Sequence, residues 1–469
     1  MTEAIPIGEF ERKHKRKQRV EEAEESDSRP PEYSDEALAL KFAEIYSEKL
    51  RYVAAWGRWL FWTGTKWQLD ETLLALDFAR KTCREAASTK FSDPKIAAAL
   101  ASAKTVAAME RLARADRRLA ATVDQWDADP WLLNTPGGVV ELKTGKLRPH
   151  NPSDHMTKIT AVMPSSRCPL WLKFIDRVTN GDKEFQEFLQ RMVGYALTGD
   201  TTAHALFFLF GTGANGKSVF IDSIAGMIAD YHRAAPIETF TASSGDRHPT
   251  DLAGLRGARL VTAMETEEGR RWAESRIKQL TGGDKVSARL MRQDFFEFIP
   301  QFKLIIAGNH KPGLRSVDEA MRRRFHLLPF TVTIPKEERD TQLKEKFKAE
   351  WPGILGWAIE GCRDWQAQGL SAPEAVTKAT AAYLESEDAT AAWMEDCCIA
   401  DREGWVTSAA LFTSWKVWAE NAGEYVGSSK AFSAKLEARG FTALRKNKAR
   451  GYAGFSLNVK DTSTEWRDQ

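Results

Sequence analysis

The sequence lacks the features that would direct a protein into or across a membrane. No stretch of the 469 residues approaches the roughly 20 consecutive apolar residues that a transmembrane helix needs. The N-terminus has no apolar signal core, because charged residues are frequent from Glu9 to Glu25. We therefore predict a cytoplasmic protein with no membrane partner.

Cysteine is scarce, and the net charge is small. The five cysteines match no zinc-site spacing, and their odd number argues against a disulfide framework. They are expected to be reduced packing residues. The formal net charge of +2 excludes a uniformly basic nucleic-acid coat, so any DNA contact must come from local clusters.

The length indicates roughly two to four domains. The predicted division is 1–35, 36–165, 166–335, 336–400, 401–460 and 461–469. In order, these are a disordered charged tail, an α+β N-terminal domain, a P-loop core with preceding helices, a helical segment, a winged-helix-like DNA-binding domain and a short tail. The first tail is either a solvated arm, which its charge runs favour, or a DNA-binding or localisation arm.

The N-terminal region is predicted to begin with a helix from Asp35 through Arg51 that Asp35 caps. The tryptophan-rich segment 56–67 then indicates a strand, a turn and a second strand, followed by helices near 71–89 and 93–120. The tryptophans can stack bases, but a cluster of this kind is more often the core of a small meander.

A phosphate-binding loop is the strongest signal. The apolar run 206–210 is typical of a strand buried on both faces, and it leads into a GxxxxGK(S/T) segment and an amphipathic helix. This segment consists of Gly211, Thr212, Gly213, Ala214, Asn215, Gly216, Lys217 and Ser218. Its N–H groups and the helix N-terminus favour phosphate. We predict an ATP site in which Lys217 reaches the β- and γ-phosphates and Ser218 ligates Mg²⁺.

Three further segments supply groups that hydrolysis needs. A strand over 259–264 leads to Glu265, the candidate base or metal-side carboxylate, with Glu267 as the fallback; ordinary loop acids are the alternative. A strand over 303–308 ends at Asn309, which can orient water or sense the γ-phosphate. Arg323 or Arg324 can stabilise transition-state charge, unless residues 322–324 form only a solvated basic turn.

A basic hairpin is predicted between the acidic strand and the sensor strand. Residues 281–298 indicate two strands around a tip near 292–294. Lys285, Arg289 and Arg292 are the candidate contacts to a DNA backbone, and an aromatic residue near the tip can insert between bases.

In this order, the motifs resemble superfamily 3 helicases. They are similar to the helicase part of the phage and plasmid primase–helicases related to the poxvirus nucleoside triphosphatase. The segments that carry the resemblance are 211–218, 265–271, 278–284, 302–312 and 323–324, with 127–134 and 142–149 before the core and 415–457 after it.

The resemblance implies an α/β fold with an AAA+-like P-loop NTPase core. It further implies a ring, expected to be a hexamer, with ATP sites between subunits, arginine fingers acting in trans and hairpins around a central DNA channel. The expected activity is ATP-dependent unwinding of duplex DNA at a fork or origin, in host cytoplasm if the element is a phage. Primer synthesis would need a separate primase or polymerase. The alternatives are a DNA-binding replication initiator with incidental ATPase activity and a P-loop small-molecule kinase.

Overall fold

The computed structural model describes residues 30–90, 93–242, 250–265, 269–289, 294–314, 317–446 and 449–458. The chain forms two compact units. One contains the chain up to Asp129 with 134–139 and 147–159, and the other contains 130–133, 140–146 and residues from Thr160 onward. Among the described residues, no helix is both long enough and apolar enough to span a membrane.

The first unit packs helices against a small mixed sheet. Its elements are α1 (Asp35–Tyr46), β1 (Leu50–Val53), β2 (Arg58–Trp62), β3 (Trp67–Leu69), α2 (Leu74–Lys90), α3 (Pro94–Leu100), α4 (Ala103–Ala113) and β4 (Ala120–Ala121). The strand order is β3-β2-β1-β4, with antiparallel pairs except for β1 and β4.

Two predictions for this unit were wrong in detail. The cap of α1 is Ser34, whose side chain accepts a hydrogen bond from the backbone N–H of Ala37, and the helix ends before Arg51. The single helix expected over 93–120 is two helices, because Ser102 caps a new helix at Thr105 N–H. Serine competes with the helical backbone for hydrogen bonds, so it favours a helix start over a helix interior.

The tryptophan cluster is mainly a core, as predicted. Trp59, Trp67 and Trp126 are buried, and the Trp67 indole N–H donates to the Pro152 carbonyl at 2.8 Å. Trp56 remains partly exposed. Burial of the other rings leaves few faces on which bases could stack.

Residues 132–148 form a three-stranded sheet. Its strands are β5 (Leu132–Thr135), β6 (Gly138–Glu141) and β7 (Lys146–Arg148), in the order β5-β6-β7.

The second unit is built on a parallel sheet, as its alternating pattern predicts. Its strands are β8 (Leu206–Phe210), β9 (His232–Ala234), β10 (Leu260–Glu265), β13 (Lys303–Gly308) and β14 (Phe325–Pro329), in the order β14-β8-β13-β10-β9. All four pairings are parallel, so the carboxyl ends of the strands lie at one edge. Every residue of β13 is buried, as are the first four of β8, which accounts for the apolar run of β8 and of the residues that follow Lys303 in β13.

The helices and the hairpin of this unit complete the core. They are α5 (Pro169–Val178), α6 (Lys183–Leu197), α7 (Lys217–Ile228), α8 (Thr250–Ala253), α9 (Glu274–Thr281), β11 (Val286–Arg289), β12 (Phe295–Phe298), α10 (Glu319–Arg322), α11 (Leu343–Gln368) and α12 (Glu374–Ser386). Helices α6 and α11 pack at glycines: a Cβ on Gly194 would lie 2.0 Å from the backbone nitrogen of Cys362.

The C-terminal module, residues 389–458, has its own core. It comprises α13 (Ala389–Cys397), β15 (Cys398–Thr407), α14 (Ser408–Asn421), α15 (Ser429–Ala438), β16 (Ala443–Lys446) and β17 (Ala449–Leu457). The sheet order is β15-β17-β16, with antiparallel pairs, and buried Trp393, Trp415 and Phe432 lie beneath it. Strand β15 was not predicted, because the polar segment Asp401–Gly404 interrupts its apolar pattern and produces a register shift.

Candidate nucleotide site

The predicted phosphate loop follows β8 at the carboxyl edge of the sheet and leads into α7. Gly213, Ala214 and Gly216 have positive φ of 105°, 50° and 87°. Gly211 is required for a different reason: a Cβ there would lie 2.2 Å from the Phe330 carbonyl oxygen. The loop therefore adopts a tight geometry that favours glycine at positions 211, 213 and 216, while Ala214 accepts a left-handed conformation.

Lys217 lies inside this loop with its ammonium group held by three acceptors. Its Nζ donates to Gly211 O at 2.6 Å, to Asn215 Oδ1 at 3.1 Å and to Asn309 Oδ1 at 3.3 Å. Burial lowers the pKa of Lys217 to about 8. A poorly hydrated cation surrounded by loop carbonyls is suited to a phosphate anion, which would restore the lost solvation.

Asn215 also ties the loop to the edge strand. Its amide nitrogen donates to the Phe330 carbonyl at 3.0 Å, just beyond β14. Four residues further on, the Ile334 N–H donates to the Ala214 carbonyl at 2.8 Å. The Phe330 carbonyl was not predicted as part of the site, because a backbone acceptor carries no side-chain signal.

Ser218 is exposed in the first turn of α7, beside buried Lys217. A hydroxyl at this position of a 12-residue helix is free to ligate a cation, while the N–H groups of the first turn face anions. The tight loop, the buried cation and the exposed hydroxyl together fit a magnesium–nucleotide complex.

The sheet brings the predicted acidic and sensor segments together. Glu265 pairs in parallel register with Gly308, so the end of β10 lies directly beside the residue that precedes Asn309. The Glu265 side chain and all of Glu267 lie outside the described part of the chain. Their assignments as base or metal-side carboxylate, like the sensor role of Asn309, stay predictions.

The two candidate arginines have different environments. Arg324 is buried: its Nε donates to Thr281 Oγ1 at 3.2 Å and its Nη1 to the Ala320 carbonyl at 2.9 Å. Burial lowers its pKa. Arg323, one residue earlier, is exposed, and in the part of the chain that the structure describes its side chain forms no hydrogen bond or ion pair. Only Arg323 is therefore free to reach a neighbouring molecule.

The basic hairpin forms as predicted from β11 and β12, which pair antiparallel from Val286–Phe298 to Arg289–Phe295. The Arg289 guanidinium lies over the Phe295 ring, 5.0 Å from its centroid, and Phe295 is 61% exposed. Lys285 is also exposed, with Nζ 3.9 Å from Glu297. Arg292, which was predicted near the tip, lies outside the described residues.

Lys311 was not predicted from the sequence as part of the site either. Its ammonium lies 4.5 Å from the Phe210 ring centroid and 5.7 Å from that of Tyr383, a cation–π arrangement one residue from the start of the loop. Its position two residues after Asn309 could have indicated that it lies near the phosphate loop.

The parallel sheet, with a glycine-rich loop between a buried strand and a helix, defines an α/β protein of the P-loop type. Comparison with known sequences supports a narrower assignment. Residues 39–180 match the family described as "D5 N terminal like", and residues 209–324 match a "Family of unknown function (DUF5906)".

Two curated viral proteins match the chain. "Putative helicase L207/L206" of Acanthamoeba polyphaga mimivirus is 25% identical over 286 residues, which are 56% of this chain and 30% of that protein. "Putative helicase 022R" of Frog virus 3 (isolate Goorha) is 24% identical over 261 residues, 50% of this chain and 26% of that protein. The match thus spans less than a third of either relative.

Among solved structures, the apo C-terminal region of NrS-1 has a similar fold. Its TM-score is 0.50 at 10% sequence identity, and the alignment covers 89% of this chain and 99% of that one. The matches confirm the resemblance to the phage and viral primase–helicase family that the sequence motifs indicate.

Proposed function

We propose that this chain is the motor subunit of an ATP-dependent DNA helicase that replicates a phage, plasmid or other mobile element. The observation that carries the proposal is the hydrogen bond at 3.3 Å between Lys217 of the phosphate loop and Asn309 at the end of β13. It connects a phosphate-binding cation to an amide suited to sensing the γ-phosphate. Both curated relatives are named as helicases, which favours this motor over other P-loop proteins.

The strand order supports an AAA+-like core. Numbered by their order in the chain, the five core strands are arranged 5-1-4-3-2, with the phosphate loop after strand 1 and Asn309 after strand 4. Under this proposal Glu265, after strand 3, handles the attacking water or the metal. Ser218 would ligate Mg²⁺, which neutralises charge on the β- and γ-phosphates when bound.

The two arginines support a ring with shared sites. In a ring, an arginine from one subunit completes the ATP site of the next. Arg324 is held within its own subunit by Thr281 and Ala320, whereas Arg323 is exposed. We therefore assign the finger to Arg323 and propose a homo-oligomer, with a hexamer as the expected size.

The hairpin of β11 and β12 is the proposed DNA element. Lys285 and Arg289 are exposed, and the exposed Phe295 offers a face on which a base can stack. In a ring, these hairpins would line the channel for a single strand and move with the ATP cycle.

The remaining domain assignments are also proposals. Residues 36–165 would form the N-terminal domain and 401–460 a winged-helix-like domain, whose two helices and β16–β17 hairpin have the expected order. Arg445 and Lys446 on that hairpin are exposed and available for duplex DNA, whereas Arg450 forms an ion pair with Glu437. A separate primase or polymerase would supply primers.

The test is ATP hydrolysis with and without single-stranded DNA, combined with strand displacement on a forked duplex. Wild type should show DNA-stimulated turnover and unwinding, and Lys217→Ala should show neither. Mixing Lys217→Ala with Arg323→Ala subunits should restore some hydrolysis, because a mixed interface can contain one intact loop and one intact finger. Wild-type ATP hydrolysis that single-stranded DNA does not stimulate, together with an absence of strand displacement, would contradict the proposal.

The segment 426–455 of the C-terminal module contains seven lysines and arginines against one acid, and this charge favours one alternative, a replication initiator. In that case origin binding would survive Lys217→Ala and unwinding would be absent from wild type as well. Measuring duplex binding by Lys217→Ala in the same series separates the two functions.

A further inference from the structure

One carboxylate, that of Asp388, joins three parts of the second unit. It lies at the junction of α12 and α13, and its side chain is only 12% exposed. Its Oδ1 accepts a hydrogen bond from Ala391 N–H at 3.2 Å and so caps α13. Its Oδ2 lies 3.8 Å from Nη2 of Arg322 and also forms an ion pair with Arg439.

These two arginines belong to functionally different elements. Arg322 is the last residue of α10, and Arg323 is the C-cap of that same short helix. Arg439 is the C-cap of α15, in the C-terminal module. The start of this four-residue helix is held by Asp318, which caps it and pairs with Lys278, and by buried Met321. Arg322 lies at the other end, next to Arg323, so its contact with Asp388 bears on where Arg323 points.

The same corner also contacts the segment that follows Asn309. Glu387 Oε2 accepts a hydrogen bond from Leu314 N–H at 2.8 Å, and the Tyr383 hydroxyl donates to the Pro312 carbonyl. Trp272 Nε1 donates to that hydroxyl at 3.0 Å. Tyr383 and Glu387 thus contact the segment 312–314, which follows Asn309. Asp388, the residue after Glu387, contacts Arg322 in α10.

We propose that Asp388 is a positioning residue that couples the C-terminal module to the arginine finger. Because Arg322 and Arg439 share one carboxylate oxygen, a docked module draws the carboxylate toward Arg439 and leaves α10 less firmly held. When the module moves away, Asp388 pairs with Arg322 alone and holds the turn that carries Arg323. This inference rests on the proposed ATPase and deepens it, since it names a route by which DNA contact at the module alters turnover.

The first test is Asp388→Asn, which retains an oxygen for the α13 cap and removes the charge. We expect kcat for ATP to fall about three- to tenfold, the usual range for coupled contacts, with KM and ADP affinity unchanged. Arg322→Gln should behave alike, and the double variant should lose no more than either single one. Glu395→Gln, an exposed acid on the same helix, is the matched control.

Arg439→Gln distinguishes positioning from a loosened module. In this variant Asp388 can still pair with Arg322, so kcat should not fall. If kcat of Arg439→Gln fell as far as that of Asp388→Asn, docking of the module alone would matter and the proposal would be overturned. Lys416→Gln, which removes an exposed charge from α14, is its control. Subunit mixing adds a second readout: turnover of Asp388→Asn loops should rise when Lys217→Ala subunits supply intact fingers.

The possible results distinguish failure of the proposed function from failure of the proposed role of Asp388. A wild-type chain that does not hydrolyse ATP overturns the proposed function and this inference with it. Wild-type hydrolysis with Asp388→Asn unchanged, or changed only in KM, overturns the inference alone.

Discussion

The amide oxygen of Asn309 lies 3.3 Å from Nζ of Lys217, although the two residues are 92 positions apart in the chain. The contact exists because β8 and β13 are neighbours in the sheet, so the loop after one meets the residue after the other. A nucleotide that draws Lys217 toward its phosphates would release the Asn309 amide toward the attacking water. Under the proposed function, this exchange would be a physical basis for sensing the γ-phosphate.

Asn309→Ala is therefore expected to reduce ATP turnover while ADP still binds. The loss should be about 100-fold in kcat, which is typical for removing one polar group that acts on the reacting centre. Single-turnover hydrolysis and fluorescent ADP titration measure the two quantities. Asn421→Ala, an exposed amide at the end of α14, should leave both unchanged; equal losses of ADP affinity and kcat would contradict a sensing role.

Nucleotide affinity should depend on pH through Lys217. Burial lowers the pKa of its ammonium to about 8 in the free protein. Only the protonated form attracts phosphate, so bound nucleotide raises the pKa and affinity falls as pH rises through about 8. ADP affinity measured from pH 6.5 to 9.5 should decline above that point. Lys217→Arg should abolish the decline, because guanidinium stays charged throughout this range.

Arg323→Ala and Arg324→Ala form a matched pair with opposite expected effects. Arg323 is exposed, so its removal should leave the unfolding midpoint unchanged and abolish most turnover. Arg324 is buried and holds Thr281 and Ala320, so its loss should lower the free energy of unfolding by about 2 kcal/mol. Thermal unfolding and ATP turnover measured on the same samples check both; a reversed pattern would assign the finger to Arg324.

Phe295→Ala should weaken binding of single-stranded DNA while nucleotide affinity is retained. A base stacked on an aromatic ring contributes about 1–3 kcal/mol, so the loss should be at least about fivefold per subunit. Arg289→Gln should instead reduce the salt dependence of binding, by about 0.7 in the logarithmic slope. Fluorescence anisotropy at several salt concentrations separates the two. Ile299→Ala, another exposed apolar residue just beyond β12, is the control.

Gly211→Ala tests the tight geometry of the loop. A methyl group there would meet the Phe330 carbonyl and the Asn215 amide, which hold the loop to the edge strand. Nucleotide binding should be lost and the unfolding midpoint lowered. Gly254→Ala, at an open position in the same unit, should change neither. Normal ADP affinity in Gly211→Ala would show that the contact between Asn215 and Phe330 is dispensable.

Local patterns were enough to predict much of the parallel-sheet core. The apolar runs that became β8 and β13, the glycine loop and the strands of the hairpin, β11 and β12, each depend on neighbours in sequence, and the structure has them where predicted. Predictions failed where two local preferences competed. Ser34 took the cap expected of Asp35, and Ser102 divided the helix expected over 93–120. Strand β15 was missed because its pairing with β17 depends on tertiary contacts.

The sequence by itself determined the chemistry that is available: a phosphate loop ending in Lys217 and Ser218, an amide at Asn309 and adjacent arginines. Those assignments follow from residue type and spacing, which local backbone geometry fixes. Only the tertiary structure distinguished the environments of Arg323 and Arg324, because burial depends on what α9 and α10 place around each side chain. It also brought Asp388 to Arg322 and Arg439, since contacts across 66 and 51 residues arise from packing and leave no periodic trace in the sequence.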